Sequence, residues 1–196
     1  MTMRTAVAER KTKETDISVN INLDGSGKIE IDTGVGFFDH MLESFARHGL
    51  FDLVLRCTGD LGVDCHHTIE DVGIVLGTAT RQALGDKAGI KRYGSALLPM
   101  DDALILCALD LSGRPYLEED LNFGVQKIGG MDSGMIREFF YAFSYAAGVN
   151  LHFVQLRGKN AHHIAEACFK AFAKALALAV SHEARIDGVW STKGSL

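Results

Sequence analysis

The sequence predicts an α+β fold in which one half-domain is used twice. Three observations carry this. Strand-like and helix-like segments run in the same order in both halves: strand, strand, helix, strand, helix. Short blocks match across the halves: Asp52-Leu53 with Asn150-Leu151 at an offset of 98, and Asp64-Cys-His-His-Thr-Ile-Glu70 with Asn160-Ala-His-His-Ile-Ala-Glu166 at an offset of 96. A length of 196 residues with 47% apolar content suits one globular domain. Two repeats are too few for a solenoid. The expected organisation is a single duplicated domain over residues 1–196, with half-domains 1–92 and 93–196 and helices packed between and over two sheets.

In the first half, residues 16–23 alternate strictly and place Ile17, Val19, Ile21 and Leu23 on one face of a half-buried strand. Asp24-Gly-Ser-Gly27 is a turn and residues 28–32 alternate again, which predicts a hairpin. Residues 36–48 have helical spacing, and residues 51–57 read as a strand. Asp64 is a good N-cap for a helix running to Leu84. In the second half, residues 103–111 form an apolar strand, Ser112-Gly-Arg-Pro115 a turn, and residues 116–120 a short strand. Residues 133–147 are helical and residues 150–156 a strand; Asn160 then caps an Ala-rich helix to about Ala184. Residues 85–100 read as the link between halves.

Composition excludes several classes. With 20 basic and 25 acidic residues the net charge is −5, so the basic excess of a nucleic-acid binder is absent. An anionic small molecule remains compatible, because a phosphate pocket needs only a few placed cations. No apolar run approaches a membrane span. The first 17 residues carry no apolar core of a signal peptide, which makes the cytoplasm the expected setting. Cys57, Cys65, Cys107 and Cys168 form no metal-type pair and read as reduced, mostly buried thiols.

The chemistry-bearing signal is His-His-x-x-Glu, present as His66-His67-Thr-Ile-Glu70 and as His162-His163-Ile-Ala-Glu166. One such motif is an occasional coincidence; two copies at matched places in two repeats point to metal binding. On a helix the Glu lies on the side of both histidines, three and four residues on. The histidines themselves diverge by about 100° around the axis. Adjacent histidines therefore do not chelate one ion comfortably, and each pair is expected to split between two metals. Four His and two Glu do not fill two shells. His40, and its repeat partner Glu138 at an offset of 98, are candidates for the remainder. The ordinary reading of a helical Glu is a solvated face. Mixed nitrogen and oxygen donors suit Mn, Fe(II) or Zn, and the lack of thiolates argues against structural zinc.

Other residues have plain readings. His48 precedes Gly49 at a helix end, where it can meet free carbonyls. His152 lies in an apolar strand as a satisfied core residue, and His182 lies near a helix C-terminus. Glu14 sits in a charged connection between two strands, ordinarily a solvated loop. Lys170 forms an i,i+4 pair with Glu166. Arg92, Arg114 and Lys193 are surface cations by default, and Trp190-Ser-Thr-Lys-Gly194 either grips an oxyanion or frays.

Taken together, Arg10-Lys-Thr-Lys-Glu-Thr15, Thr33-Gly-Val-Gly-Phe-Phe-Asp-His-Met-Leu42, His66-His-Thr-Ile-Glu-Asp71, Leu98-Pro-Met-Asp101, Asp110-Leu-Ser-Gly-Arg-Pro115, Gly158-Lys-Asn-Ala-His-His163, Phe169-Lys-Ala171 and Ser191-Thr-Lys-Gly194 resemble the imidazoleglycerol-phosphate dehydratase family from about Arg4 to Gly194. The resemblance implies a ribosomal S5 domain 2-like fold with two four-stranded sheets. It implies loss of water from D-erythro-imidazole glycerol phosphate to imidazole acetol phosphate, in histidine biosynthesis, through an imidazolate stabilised by metal. It further implies two Mn²⁺ per active site held by His40, His66, His67, Glu70, Glu138, His162, His163 and Glu166, with Glu14 as the acid/base. Arg92, Arg114, Lys170, Ser191 and Lys193 match the positions that hold the substrate phosphate. By the same resemblance trimers build a 24-subunit shell with active sites at subunit interfaces. The sequence departs from the family pattern twice: Glu138 stands where many members carry His, and Trp190 where Pro usually precedes the tail.

Two other functions compete. A di-metal hydrolase of a phosphorylated small molecule would release inorganic phosphate. A structural or storage oligomer stapled by metal would assemble with metal but show no turnover.

Overall fold

The computed structural model describes residues 3–196. The first half contains β1 (Thr5–Lys11), β2 (Thr15–Asn22), β3 (Ile29–Asp32), α1 (Gly36–Gly49), β4 (Asp52–Gly59) and α2 (His66–Leu84). The second contains β5 (Tyr93–Met100), β6 (Ala103–Asp110), β7 (Tyr116–Asp120), the small hairpin β8 (Lys127–Ile128) and β9 (Met131–Asp132), α3 (Met135–Ala147), β10 (Asn150–Arg157) and α4 (Ala161–Val180). The two four-stranded sheets have matching orders, β1-β2-β4-β3 and β5-β6-β10-β7.

The expected hairpin between residues 16–23 and 28–32 does not form, because β4 lies between β2 and β3. β3 pairs parallel with β4 through the crossover helix α1, and β7 pairs parallel with β10 through α3. Parallel neighbours need such a crossover. Burial explains the order: Leu53 and Leu55 of β4 are fully buried at the sheet centre, whereas Ile29 and Ile31 of β3 are half-buried at an edge.

Each four-stranded sheet has one strand more than the alternation of its half predicts, and the second half adds the β8–β9 hairpin. Residues 93–100, read from sequence as a link, form the edge strand β5. Pro99 is tolerated there because an edge strand can spare a donor. Gly94 is required: a Cβ at that position would lie 1.9 Å from the Ala175 carbonyl oxygen, where α4 crosses β5.

Helices tie the halves together. α2 covers β1 and β2 and packs on α3, while α4 covers β5 and β6 and packs on α1. A phenylalanine cluster joins three of these helices. Phe38 of α1 meets Phe139 of α3 edge-on at 5.4 Å; Phe45 stacks on Phe172 of α4 at 5.3 Å, and Phe139 on Phe169 at 5.2 Å. All are fully buried, and each contributes about 1.5–3 kcal/mol of burial. This core, with α2 packed on α3, fixes the relative positions of the N-termini of α1, α2 and α4, where the histidines lie.

Candidate metal centre and active site

Both His-His pairs open a helix, and carboxylates and amides set each start. Asn160 Oδ1 accepts from the backbone N–H of His162 at 2.9 Å and of His163 at 3.4 Å. The other copy is capped from one position earlier than an N-cap: Asp64 Oδ1 accepts from His66 N–H at 2.7 Å, while Cys65 holds the cap position.

Within each pair the rings diverge as helix geometry requires. Their centroids are 6.2 Å apart at 75° for His66 and His67, and 6.3 Å apart at 84° for His162 and His163. The first histidine faces the glutamate one turn on: His66 Nε2 lies 3.9 Å from Glu70 Oε2, and His162 Nε2 lies 3.3 Å from Glu166 Oε2. The second histidine turns away to loop carboxylates. His67 meets Asp60 through Nδ1 at 3.0 Å, and His163 meets Asp102 through Nδ1 at 2.7 Å.

His40 reaches the second pair from α1. His40, His162 and Glu166 offer donor atoms within 4.8 Å of one another, the one such trio among the described residues. Two donors of one ion at about 2.1 Å stand at most about 4.2 Å apart, so a small side-chain adjustment closes this set on a metal. Two imidazoles and a carboxylate, without thiolate, fit Mn, Fe(II) or Zn. Lys170 donates to Glu166 Oε1 at 2.6 Å. Burial pushes the Glu166 carboxyl up, but Lys170 and the two histidines outweigh it and hold it below its ordinary range.

Glu138 does not join His66 and Glu70 in a comparable trio; it sits on α3 with its Oε1 3.4 Å from Arg137. A cleft of about 670 Å³ is lined by His66 and by Phe37, whose ring meets His162 at 5.2 Å.

Glu14 occupies the turn between β1 and β2, and its Oε1 lies 3.9 Å from His67 Nε2. Thr12 Oγ1 accepts from the Glu14 and Thr15 backbone N–H groups. Thr15 Oγ1 donates to buried Asp71 on α2 at 2.5 Å, and Arg10 pairs with the same carboxylate at 3.2 Å. These contacts pin the Glu14 turn to the helix that carries His67.

The cations of the implied phosphate set fall in two places. Lys170 is with the α4 trio. Arg92 is instead buried near the far end of α4, where its backbone N–H donates to Ala179. Nine residues of helix separate the two levels, about 13 Å. Arg92 donates to both oxygens of Asp110 at 2.7 and 2.9 Å and to the Trp190 carbonyl at 3.0 Å. It is therefore no free surface cation. Ser191 and Lys193 follow in the tail this contact holds, and the chain end passes beside Gly113, next to Arg114.

One plain histidine reading is corrected: His152 is exposed on the outer face of β10 beside Tyr116, because its position in the alternation points away from the helices. His48 lies in the last turn of α1 as expected; it also lines a cavity with His40, Glu166 and Lys170, and burial with the nearby lysines holds its pKa down. Sequence reasoning missed Asp60 and Asp102. The only available signal was an acid directly after a strand or within a turn.

A family model described as imidazoleglycerol-phosphate dehydratase matches residues 33–176. The imidazoleglycerol-phosphate dehydratase of Lachnoclostridium phytofermentans is 61% identical over 193 residues, covering 98% of each chain. That of a Jannaschia species is 58% identical over 195 residues, covering 99% of this chain and all of its own. The crystal structure of imidazoleglycerol-phosphate dehydratase from Staphylococcus aureus superposes with a TM-score of 0.83 at 36% identity, covering 91% of this chain and 99% of that one. The Pyrococcus furiosus structure, in complex with (S)-C348, gives the same TM-score at 40% identity, covering 96% and 99%. With fold, repeat and relatives in agreement over nearly its full length, the chain belongs to the imidazoleglycerol-phosphate dehydratase family.

Proposed function

We propose that this chain removes water from D-erythro-imidazole glycerol phosphate to give imidazole acetol phosphate, in the cytoplasm, with two Mn²⁺ ions per active site. The observation that carries the reading is the doubled arrangement of one histidine facing a glutamate and one turned away, with Glu14 beside a turned-away ring. Similarity to dehydratases over nearly the whole chain supports it.

The chain's residues divide the work. Glu14 Oε1 takes the proton from the carbon next to the imidazole ring, a task suited to a carboxylate beside cationic or metal-bound groups. Bound metal supplies Lewis-acid stabilisation of the charge that the ring gains. Loss of the proton and the hydroxyl leaves an enol, which becomes the ketone product. Lys170, Arg92, Arg114, Ser191 and Lys193 hold the phosphate and so fix the reacting carbon. His40, His162 and Glu166 hold one ion; His66, Glu70 and Glu138 contribute to the other, and the turned-away His67 and His163 complete shells on neighbouring copies. The separation of Arg92 from Lys170 along α4 supports the same requirement for neighbouring copies. A 24-subunit shell built from trimers meets that requirement.

The test is Glu14→Gln. The proposal expects kcat to fall by about 10²–10⁴-fold with Mn²⁺ content and assembly unchanged. Full activity in this variant overturns it. Release of inorganic phosphate in place of the ketone would favour a hydrolase.

A further inference from the structure

We propose that Asp60 and Asp102 are positioning residues, which hold Nδ1 of His67 and His163 so that each Nε2 is presented for ligation. The inference rests on the reading of these histidines as metal ligands and adds what orients them.

The first histidine of each pair faces the glutamate one turn on along its own helix, at 3.9 Å for Glu70 and 3.3 Å for Glu166. The second, turned about 100° away, has no such helical partner. In both copies a carboxylate meets it at the same ring atom: Asp60 Oδ2 at 3.0 Å from His67 Nδ1, Asp102 Oδ1 at 2.7 Å from His163 Nδ1. A carboxylate only accepts, so the ring hydrogen of His67 sits on Nδ1 and its lone pair on Nε2. His163 has a carboxylate at each nitrogen, Asp102 at Nδ1 and Asp101 Oδ2 3.3 Å from Nε2, and the shorter contact places its hydrogen on Nδ1. Metal-ligating histidines commonly carry a partner of this kind, which fixes tautomer and ring angle.

The duplication makes the coincidence informative. Asp60 directly follows β4, and by sheet register its counterpart after β10 is Gly158, which has no carboxylate. Asp102 lies in the turn between β5 and β6, and its counterpart in the β1–β2 turn is Glu14, which approaches His67 at Nε2, at 3.9 Å, and not at Nδ1. The same contact is thus supplied from two unrelated loops, so it is not simply a copied feature of the repeat. Asp60 Oδ1 is moreover buried with no hydrogen-bond partner. The Asp60 side chain as a whole is 28% exposed, and a cation bound through the histidine would offset its charge beside that unpaired oxygen.

Asp60 is the better test position. Asp102 also accepts from the Lys159 and Asn160 backbone N–H groups, so its loss disturbs the start of α4. Assembled protein is stripped with chelator, and Mn²⁺ is titrated by the electron paramagnetic resonance signal of the free ion. Wild type should bind two ions per chain. Asp60→Ala should bind one as wild type does and the other about 10–100-fold more weakly. In a His67→Ala background, Asp60→Ala should cause no further weakening, which a general structural role would not predict. If Asp60→Ala does not fold, Asp60→Asn carries the test, with roughly tenfold weaker binding expected. The proposal is overturned if the folded variants bind both ions as tightly as wild type, or if the losses at Asp60 and His67 add. A wild type that binds no Mn²⁺ overturns the ligand reading itself.

Discussion

Asp110→Ala removes the carboxylate that receives two hydrogen bonds from Arg92. The side chains are only 10% and 20% exposed for Arg92 and Asp110. Breaking a buried pair by deleting one partner costs about 3–5 kcal/mol, whereas exposed pairs are worth about 0–1 kcal/mol. At this partial burial the expected loss is about 2–3 kcal/mol. The left-handed backbone at Arg92, φ 66°, adds to the case, because such a conformation persists only when its surroundings hold it. For a chain of this size that is a fall in Tm of about 4–12 °C, measured at fixed protomer concentration because assembly contributes to stability. Arg92 also donates to the Trp190 carbonyl, so hydrogen exchange over residues 190–194 should accelerate in Arg92→Ala. With Ser191 and Lys193 loosened, KM should rise more than kcat falls. The double variant should show a coupling energy above about 1 kcal/mol. A single variant within about 0.5 kcal/mol of wild type, or strictly additive losses, would refute the reasoning.

Further outcomes follow from other contacts. Gly77→Ala should destabilise by about 1–2 kcal/mol in chemical denaturation despite alanine's better helix propensity, because its Cβ would lie 2.7 Å from the Phe143 carbonyl oxygen. Native protein should react with a thiol reagent at no more than one cysteine per chain, since Cys57 is pushed up to about 11 by burial and Cys107 and Cys168 are fully buried; unfolded protein should expose all four. Asp52 accepts from the Ser26 and Lys28 backbone N–H groups, which hold its carboxyl below 3.8. Its contribution is therefore present above that pH and lost as pH falls through the folded-state value. Asp52→Asn should flatten the acid limb of the stability profile. Glu138→Ala should retain one Mn²⁺ per chain while Glu138→His retains two, read by the same free-ion titration; two tightly bound ions in Glu138→Ala would exclude Glu138 as a ligand.

The helices were legible because their signals are local. Asn160 caps α4 as expected, and the divergence of each His-His pair follows from helix geometry alone. What escaped the sequence was long-range. The pairing of β3 with β4 rather than β2 depends on α1 carrying the chain across the sheet, which alternation does not encode. β5 escaped because Gly94 and Pro99 interrupt its pattern, for reasons that lie in α4 and in its edge position. His152 reads as core in an apolar strand, yet its face is set by the pleat. Arg92 resembles any surface cation until the fold brings Asp110 and the tail against it. In the site, the His-His-x-x-Glu copies announced themselves. Asp102 did not, because its partner His163 is 61 residues away.

The central claim is a metal-dependent dehydratase built from two copies of one motif. Its most direct test is turnover of imidazole glycerol phosphate by chelator-stripped protein, before and after Mn²⁺ is returned. The account predicts no acetol phosphate from stripped protein and its formation once Mn²⁺ is restored, with no release of inorganic phosphate. Assembled protein that carries Mn²⁺ yet forms no ketone would contradict it.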